Sequence, residues 1–496
     1  LPQKSPEISA FDHRKVMVGT FYLMMGNVIS QVINLAGLLF LARIYDPGSV
    51  GLWALFLGIG FGVQFLGGLH YDLALIIVDD DRDAARLALL GIGVSVVMAL
   101  MFVIVLELLI AGGFGWVPDQ MASFSLYFLP YIICYGLFNT GMAWGIRTQK
   151  YPWLMATRIS IPFFTLIFQF LLRDTTKAGN GLILGTVIAY LVTAAWCTAF
   201  LWRPLAAQLG GYVKTLLRDM RSLARRERGF PMLSIPRALI VSFANQAVVV
   251  ILGILYSLPV VGSFNLAYRA LYAPMLLIGS ALAQAIMPSL SKSKAAIYEL
   301  EGQLMAIVRI LGWIYLPALV FIIAFGPSVF IYVFGDQWGQ AGEYAAYLTM
   351  ALFGMALTMW FEKIFDILDR QKLHLILGAA LNAGALIAFL LAHSLTRNPD
   401  VMIIAWSAAM LVYAGIWLAI AFHICGFNLK RLLLIGIELS CVTAALAVFV
   451  PMALEGEEYW QRVMNIAAVF SSYGLLAWLF LRKDMGFFLG QLLRRN

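Results

Sequence analysis

The chain has 496 residues and a net charge of +8, yet only 12% of its residues are charged, against about 25% in soluble domains. With a mean hydropathy of +0.87, it carries too few charges to clothe a water-facing surface of that size. A soluble enzyme is excluded, and most of the surface must face lipid. The four cysteines, Cys134, Cys197, Cys425 and Cys441, lie in or beside apolar runs at no metal or redox spacing, and read as small buried hydrophobes.

About 20 apolar residues cross a bilayer as a helix. Fourteen such segments can be placed, at 16–42, 50–78, 87–111, 124–146, 153–172, 182–202, 235–257, 263–288, 310–333, 346–369, 375–393, 401–424, 432–454 and 463–481. The first follows His13-Arg14-Lys15 and is too long for a signal sequence, so it reads as a retained membrane helix. It carries Asn27, Gln31 and Asn34 at i, i+4 and i+7, a polar stripe on one face. Such a stripe either lines a cavity or glues helices together. Segment 2 ends with His70 and Asp72. Around the connection of segments 4 and 5 lie Arg147, Lys150 and Arg158.

The longest connection, 203–234, holds Arg218, Arg221, Arg225, Arg226 and Arg228, with Leu216, Leu217, Met220 and Leu223 interleaved at helical spacing. It predicts a basic amphipathic helix on the cytoplasmic face, joining two halves. Arg269 falls seven residues into segment 8, about 10 Å deep at ~1.5 Å per residue. In segment 10, Glu362, Asp366 and Asp369 fall on one helical face beside Lys363, the best acidic cluster for ion coupling. Pro130, Pro162, Pro274 and Pro317 sit inside segments and predict bends.

Charge sets the topology. With the N-terminus inside, only Arg43, Arg173, Lys177, Arg397 and Arg462 fall outside, and Arg158, Arg237, Arg269 and Lys363 fall within segments. The remaining twenty-five of the thirty-four Lys and Arg lie inside. That bias places both termini in the cytoplasm, and it explains the basic balance without nucleic acid.

The chain also repeats itself at an offset of 211 residues. Asn34, Ala36, Leu41, Tyr45, Val50, Gly51 and Leu55 recur as Asn245, Ala247, Leu252, Tyr256, Val261, Gly262 and Leu266. An offset of six segments keeps orientation, so the repeats are parallel and related by a pseudo-two-fold along the membrane normal. The expected fold is an all-α membrane protein: a six-helix bundle over 1–202, a basic linker over 203–234, a second six-helix bundle over 235–424, and helices 13 and 14 with a basic tail over 425–496. Such folds place their path between the bundles near the midplane.

Segment by segment, the motifs resemble the polysaccharide-transporter branch of the multidrug/oligosaccharidyl-lipid/polysaccharide exporter superfamily, the Wzx-like flippases. They are ARIYDPGSVGLWAL (42–55), HYDLALII (70–77), VGSFNLAYRALYAPMLLIGSALAQAIMPSLS (261–291) and FGDQWGQAGEYA (334–345). His70 stands where the branch carries arginine, and Asp72 where it carries glutamate. The resemblance implies two bundles alternating between inward-open and outward-open states in a bacterial inner membrane. It implies a polyprenyl-diphosphate-linked oligosaccharide as cargo, such as an O-antigen, capsule or exopolysaccharide unit. It admits coupling to a proton or sodium gradient, and polymerase or assembly proteins as partners, and it calls for no cofactor.

A diphosphate needs cations, and charges inside membrane segments default to functional candidates. For the cargo these are Arg269, Arg158, Arg147, Lys150, Gln31, Asn34 and Asn245; for ion coupling, Asp366, Glu362 and Asp72. Two rivals remain open: a multidrug exporter of the same superfamily, and a membrane polymerase or ligase. The second requires a sizeable catalytic loop outside, and all the outside connections are short.

Overall fold

A computed structural model describes residues 13–113, 119–174, 180–209, 216–290, 301–362, 364–454 and 459–493. Helices account for the order of the described chain: α1 (His13–Ile44), α2 (Pro47–Val63), α3 (Tyr71–Ile77), α4 (Asp81–Ala111), α5 (Phe128–Arg147), α6 (Tyr151–Leu171), α7 (Asn180–Leu209), α8 (Leu216–Arg226), α9 (Gly229–Leu255), α10 (Leu258–Leu290), α11 (Glu301–Phe334), α12 (Gly339–Thr358), α13 (Ile364–Ile367), α14 (Gln371–Thr396), α15 (Pro399–Ile424), α16 (Leu429–Leu454) and α17 (Tyr459–Leu493). Among the described residues, eleven helical segments are long and apolar enough to cross a membrane, one of them running from Pro47 to Ile77 over α2 and α3. The segments expected over α9, α10 and α12 are helical but fall outside that set. The chain divides into two compact units, Leu1–Val261 and Gly262–Asn496.

The turn from α1 to α2 shows how the ARIYDPGSVGLWAL motif works. Tyr45 closes α1 with its backbone N–H on the Leu41 carbonyl (2.9 Å), and Asp46 caps α2 by accepting from Ser49 N (3.0 Å) and Ser49 Oγ (2.5 Å). Pro47 takes the first helical position, where no N–H is needed. Burial works against the Asp46 charge, but the bonds from Ser49 outweigh it and hold the carboxyl below its usual range. Tyr256 repeats the first closure on Leu252 O (2.8 Å), and the N–H of Val261 reaches Ser257 O, as that of Val50 reaches Asp46 O. The two junctions thus share the same backbone bonds.

Within the first unit, helices meet through small residues, as membrane packing requires. Along α1, Gly19, Gly26 and Gly37 face Tyr151, Met155 and Leu166 of α6; a Cβ on Gly19 would lie 2.5 Å from the Tyr151 ring. Gly253 of α9 packs on Leu55 of α2 in the same way. Phe56, Phe124, Phe128 and Tyr131 form an aromatic knot, with Phe56 stacked on Phe128 at 4.7 Å. Three of the cysteines are buried as expected, but Cys441 is exposed.

In the second unit, the motif FGDQWGQAGEYA is packing rather than chemistry. Trp338, Ala341, Tyr344 and Ala345 are fully buried, and Gly342 lies against the backbone of Gly326, where a Cβ would approach Gly326 O to 2.4 Å. α16 is fastened to α11 by a bidentate pair: Arg309 Nε donates to Glu438 Oε1 (3.0 Å) and Nη2 to Oε2 (2.9 Å). Trp313 Nε1 also donates to Glu438 Oε1 (2.8 Å), and the Tyr473 hydroxyl donates to the Trp313 carbonyl.

Candidate functional site

Unit one carries a polar site on the α1–α6 seam. Arg158 Nη1 donates to Asn27 Oδ1 at 2.6 Å, and Ser30 Oγ donates to the Arg158 carbonyl at 3.2 Å. The polar stripe of α1 thus meets α6 at its first member. Gln31 is half-buried and Asn34 exposed, and neither side chain makes a hydrogen bond among the described residues. Lys150 is exposed in the α5–α6 turn. Arg147 is committed elsewhere. Its guanidinium donates to Asp81 Oδ1 (2.8 and 3.0 Å), to the carbonyls of Leu75 (3.2 Å) and Asp79 (3.0 Å), and to that of Val78. It closes the C-terminus of α3, where carbonyls lack helical partners.

Segment 2 departs from the single helix that its apolar run suggests. α2 ends at Val63, two short 3₁₀ turns follow, and Gly68, Leu69 and His70 take positive φ of 78°, 45° and 59° before α3 begins. The break is tolerated because small residues receive it: Gly68 abuts Gly91 and Ser95 of α4, and Gly67 abuts Ile132 and Gly136 of α5. It leaves Gln64 Oε1 and His70 Nε2 buried without a hydrogen-bond partner among the described residues. Phe65 stacks on His70 at 5.6 Å, and Asp72 follows in the first turn of α3. The Gly67-Gly68 doublet was the available signal for this break.

In unit two, Arg269 lies half-buried on α10, beside a ladder of stacked rings at Phe264, Tyr268 and Tyr272. Asn265, one turn before Arg269, is buried with Oδ1 unpartnered among the described residues. Asn245 lies on α9, but its side chain falls outside the described residues.

The acidic face expected in segment 10 is not formed. α12 ends at Thr358, the single turn α13 follows, and Asp369 adopts a left-handed φ of 57°, so Glu362, Asp366 and Asp369 do not share one helix. All three acids are exposed at the end of the apolar run. Lys363 falls outside the described residues.

A feature missed in the sequence is an apolar cavity of about 960 Å³ in unit two, walled by α11, α12, α15 and α16. Leu316, Phe353, Leu411, Gly415, Gly436 and Leu439 contribute to its wall, with Lys430 as its one charged lining residue among those described. Gly415 and Gly436 open onto free space, with no atom within 4 Å of where a Cβ would stand.

Long apolar helical segments, a broken second span and small-residue seams define a multi-pass helical membrane protein. Residues 40–343, more than half of the chain, match the family described as Polysaccharide biosynthesis protein, and the chain belongs to that family. Its structure is similar to the lipid II flippase MurJ in an inward closed conformation, with a TM-score of 0.70 at 11% identity over 95% of this chain and 100% of that one. It is similar to a MOP-superfamily transporter from Pyrococcus furiosus (TM-score 0.51, 15% identity, 83% and 96% of the two chains). It is also similar to an inward-facing MATE multidrug transporter of the same superfamily (0.52, 14%, 82% and 94%). At these identities the likeness is one of fold. No curated protein matches the chain.

Proposed function

We propose that this protein is a flippase that carries a polyprenyl-diphosphate-linked oligosaccharide from the cytoplasmic to the periplasmic leaflet of a bacterial inner membrane by alternating access. The observation that carries the reading is the cavity in unit two, whose described lining is mostly apolar, with Lys430 its one charged residue. Lipid tails are as apolar as leucine, so moving a polyprenyl tail from bilayer to cavity gains little free energy. The cavity's value is positional, since it holds the tail while the polar head crosses. Membership of the polysaccharide biosynthesis family and the fold shared with the lipid II flippase support the same cargo class.

The cation candidates for the diphosphate are Arg158 and Lys150 in unit one and Arg269 in unit two, and the sequence-level candidates for contacts to sugars are Gln31, Asn34 and Asn245. Arg147 serves this site indirectly by fixing the end of α3. Asp72, beside His70 at the broken span, is the stronger candidate for ion coupling. Glu362 and Asp366 stand exposed at the end of segment 10 and serve as a second one.

The test is lipid scrambling in proteoliposomes with a fluorescent lipid-diphosphate sugar. Arg269→Ala is expected to slow transport at least about tenfold, the loss of a charge-assisted bond of ~1.5–3 kcal/mol. Gly436→Phe, which fills the cavity from a position open to added atoms, should slow it similarly with the fold intact. Wild-type rates in both variants would end this reading.

A further inference from the structure

Helix α8 has two unlike faces. Leu223 is 4% exposed and sits among Tyr71 of α3, Ala84, Leu87 and Ala88 of α4, and Leu201 and Leu205 of α7. Ion pairs fasten its edges, Asp219 to Arg86 (2.9 Å) and Arg226 to Asp83 (2.9 Å). The apolar face that would otherwise seek lipid is thus taken by the protein.

What remains outward is a row of arginines. Arg218, Arg221 and Arg225, with Arg228 just past the helix, fall at i, i+3, i+7 and i+10, and all are exposed. Among the described residues none of the four forms an ion pair. Like charges at this spacing weaken a helix, and eleven residues make a short one, so the row calls for a counter-charge from outside. Its surroundings say where that charge comes from. The residues on which α8 docks open α4 and close α7, so the row stands at the ends of membrane spans. Trp202, in the same end of α7, is 70% exposed and precedes the exposed Arg203, the aromatic-and-cation pairing of a membrane–water boundary.

We propose that the outward face of α8 is a docking surface for the anionic phospholipid headgroups of the adjoining leaflet. Guanidinium groups bind phosphate through a planar fork, and a row of four can engage several headgroups at once. Lipid on one face and α3–α4 on the other then hold the linker helix in place. This holds whichever cargo the protein carries.

The experiment uses the purified full chain in detergent. Thermal unfolding and native mass spectrometry are read with added phosphatidylglycerol, phosphatidylcholine or soluble polyphosphate. Phosphatidylglycerol is expected to raise the unfolding temperature of the wild type and to remain bound, whereas phosphatidylcholine does neither. The triple variant Arg218→Gln, Arg221→Gln, Arg225→Gln should lose most of that shift and the retained lipid. The matching triple lysine variant should recover about half, since charge survives without the fork. Should the glutamine triple fail to fold, lipid retention by Arg221→Gln alone gives the same reading. A lipid response equal in wild type and variants, or polyphosphate protecting as well as phosphatidylglycerol, would overturn the proposal.

Discussion

An arginine at the water edge of a membrane bundle can serve the fold or be left available to a cargo, and Arg147 and Arg158 differ in how they are bonded. Arg147 is largely buried, and its donors are turned to one carboxylate and three carbonyls at the end of α3. Removing it strands those acceptors, so Arg147→Ala should cost about 2–3 kcal/mol of stability, with a lowered thermal midpoint. Arg147→Lys should recover only part of this, because a point charge cannot reach all the acceptors. Among the described residues Arg158 makes one side-chain bond, to an exposed asparagine. Arg158→Ala is therefore expected to leave the midpoint nearly unchanged while slowing transport; a wild-type rate would remove it from the site. The sequence placed both residues near one turn but could not divide their roles. The partners of Arg147 lie 66 to 72 residues away, and the charge bias expected of a cytoplasmic turn accounts for either residue equally well.

At the scale of elements, most helices were legible because an apolar run long enough to cross a membrane has few other outcomes. The turn at Asp46-Pro47 was equally readable, being written in a capping residue and a proline. What hydropathy could not show is where a run breaks. Positions 50–78 read as one helix because Phe65, Leu66 and Leu69 keep the average high across the interruption. The break depends on receiving surfaces in α4 and α5, which only the tertiary structure reveals. Its tightest support is Gly136, where a Cβ would fall 2.0 Å from Ser95 Oγ. Gly136→Ala should destabilise the protein by about 1–3 kcal/mol through overpacking. Adding Ser95→Gly removes the clashing atom and should restore much of the loss, a coupling of ~1 kcal/mol or more in a double-mutant cycle. Simple additivity would mean that Gly136 is not held by that contact. The same blindness to breaks affected segment 10, where the acidic residues fit a helical face by spacing alone and the chain turned before it could present them.

For the whole molecule, charge movement separates the proposed anionic cargo from a cationic one. A diphosphate is anionic, and an inside-negative potential favours its outward passage by about 2.3 kcal/mol per elementary charge per 100 mV. The same potential opposes outward passage of a cationic drug. Proteoliposomes clamped by a potassium diffusion potential should therefore accelerate transport of a lipid-diphosphate sugar when the compartment corresponding to the cytoplasm is negative, and slow it when the sign is reversed. A protein that carried cations outward would show the opposite dependence. If two protons entered for each diphosphate carried out, the cycle would instead move four charges inward, and its response to voltage would steepen. Neutralising Asp72 with Asp72→Asn would then reduce the steepness without abolishing the sign. Transport indifferent to potential in both directions would mean that the diphosphate crosses with its charge compensated by a co-transported cation, and would move the search for coupling groups from the broken span to the cargo's own counter-ion.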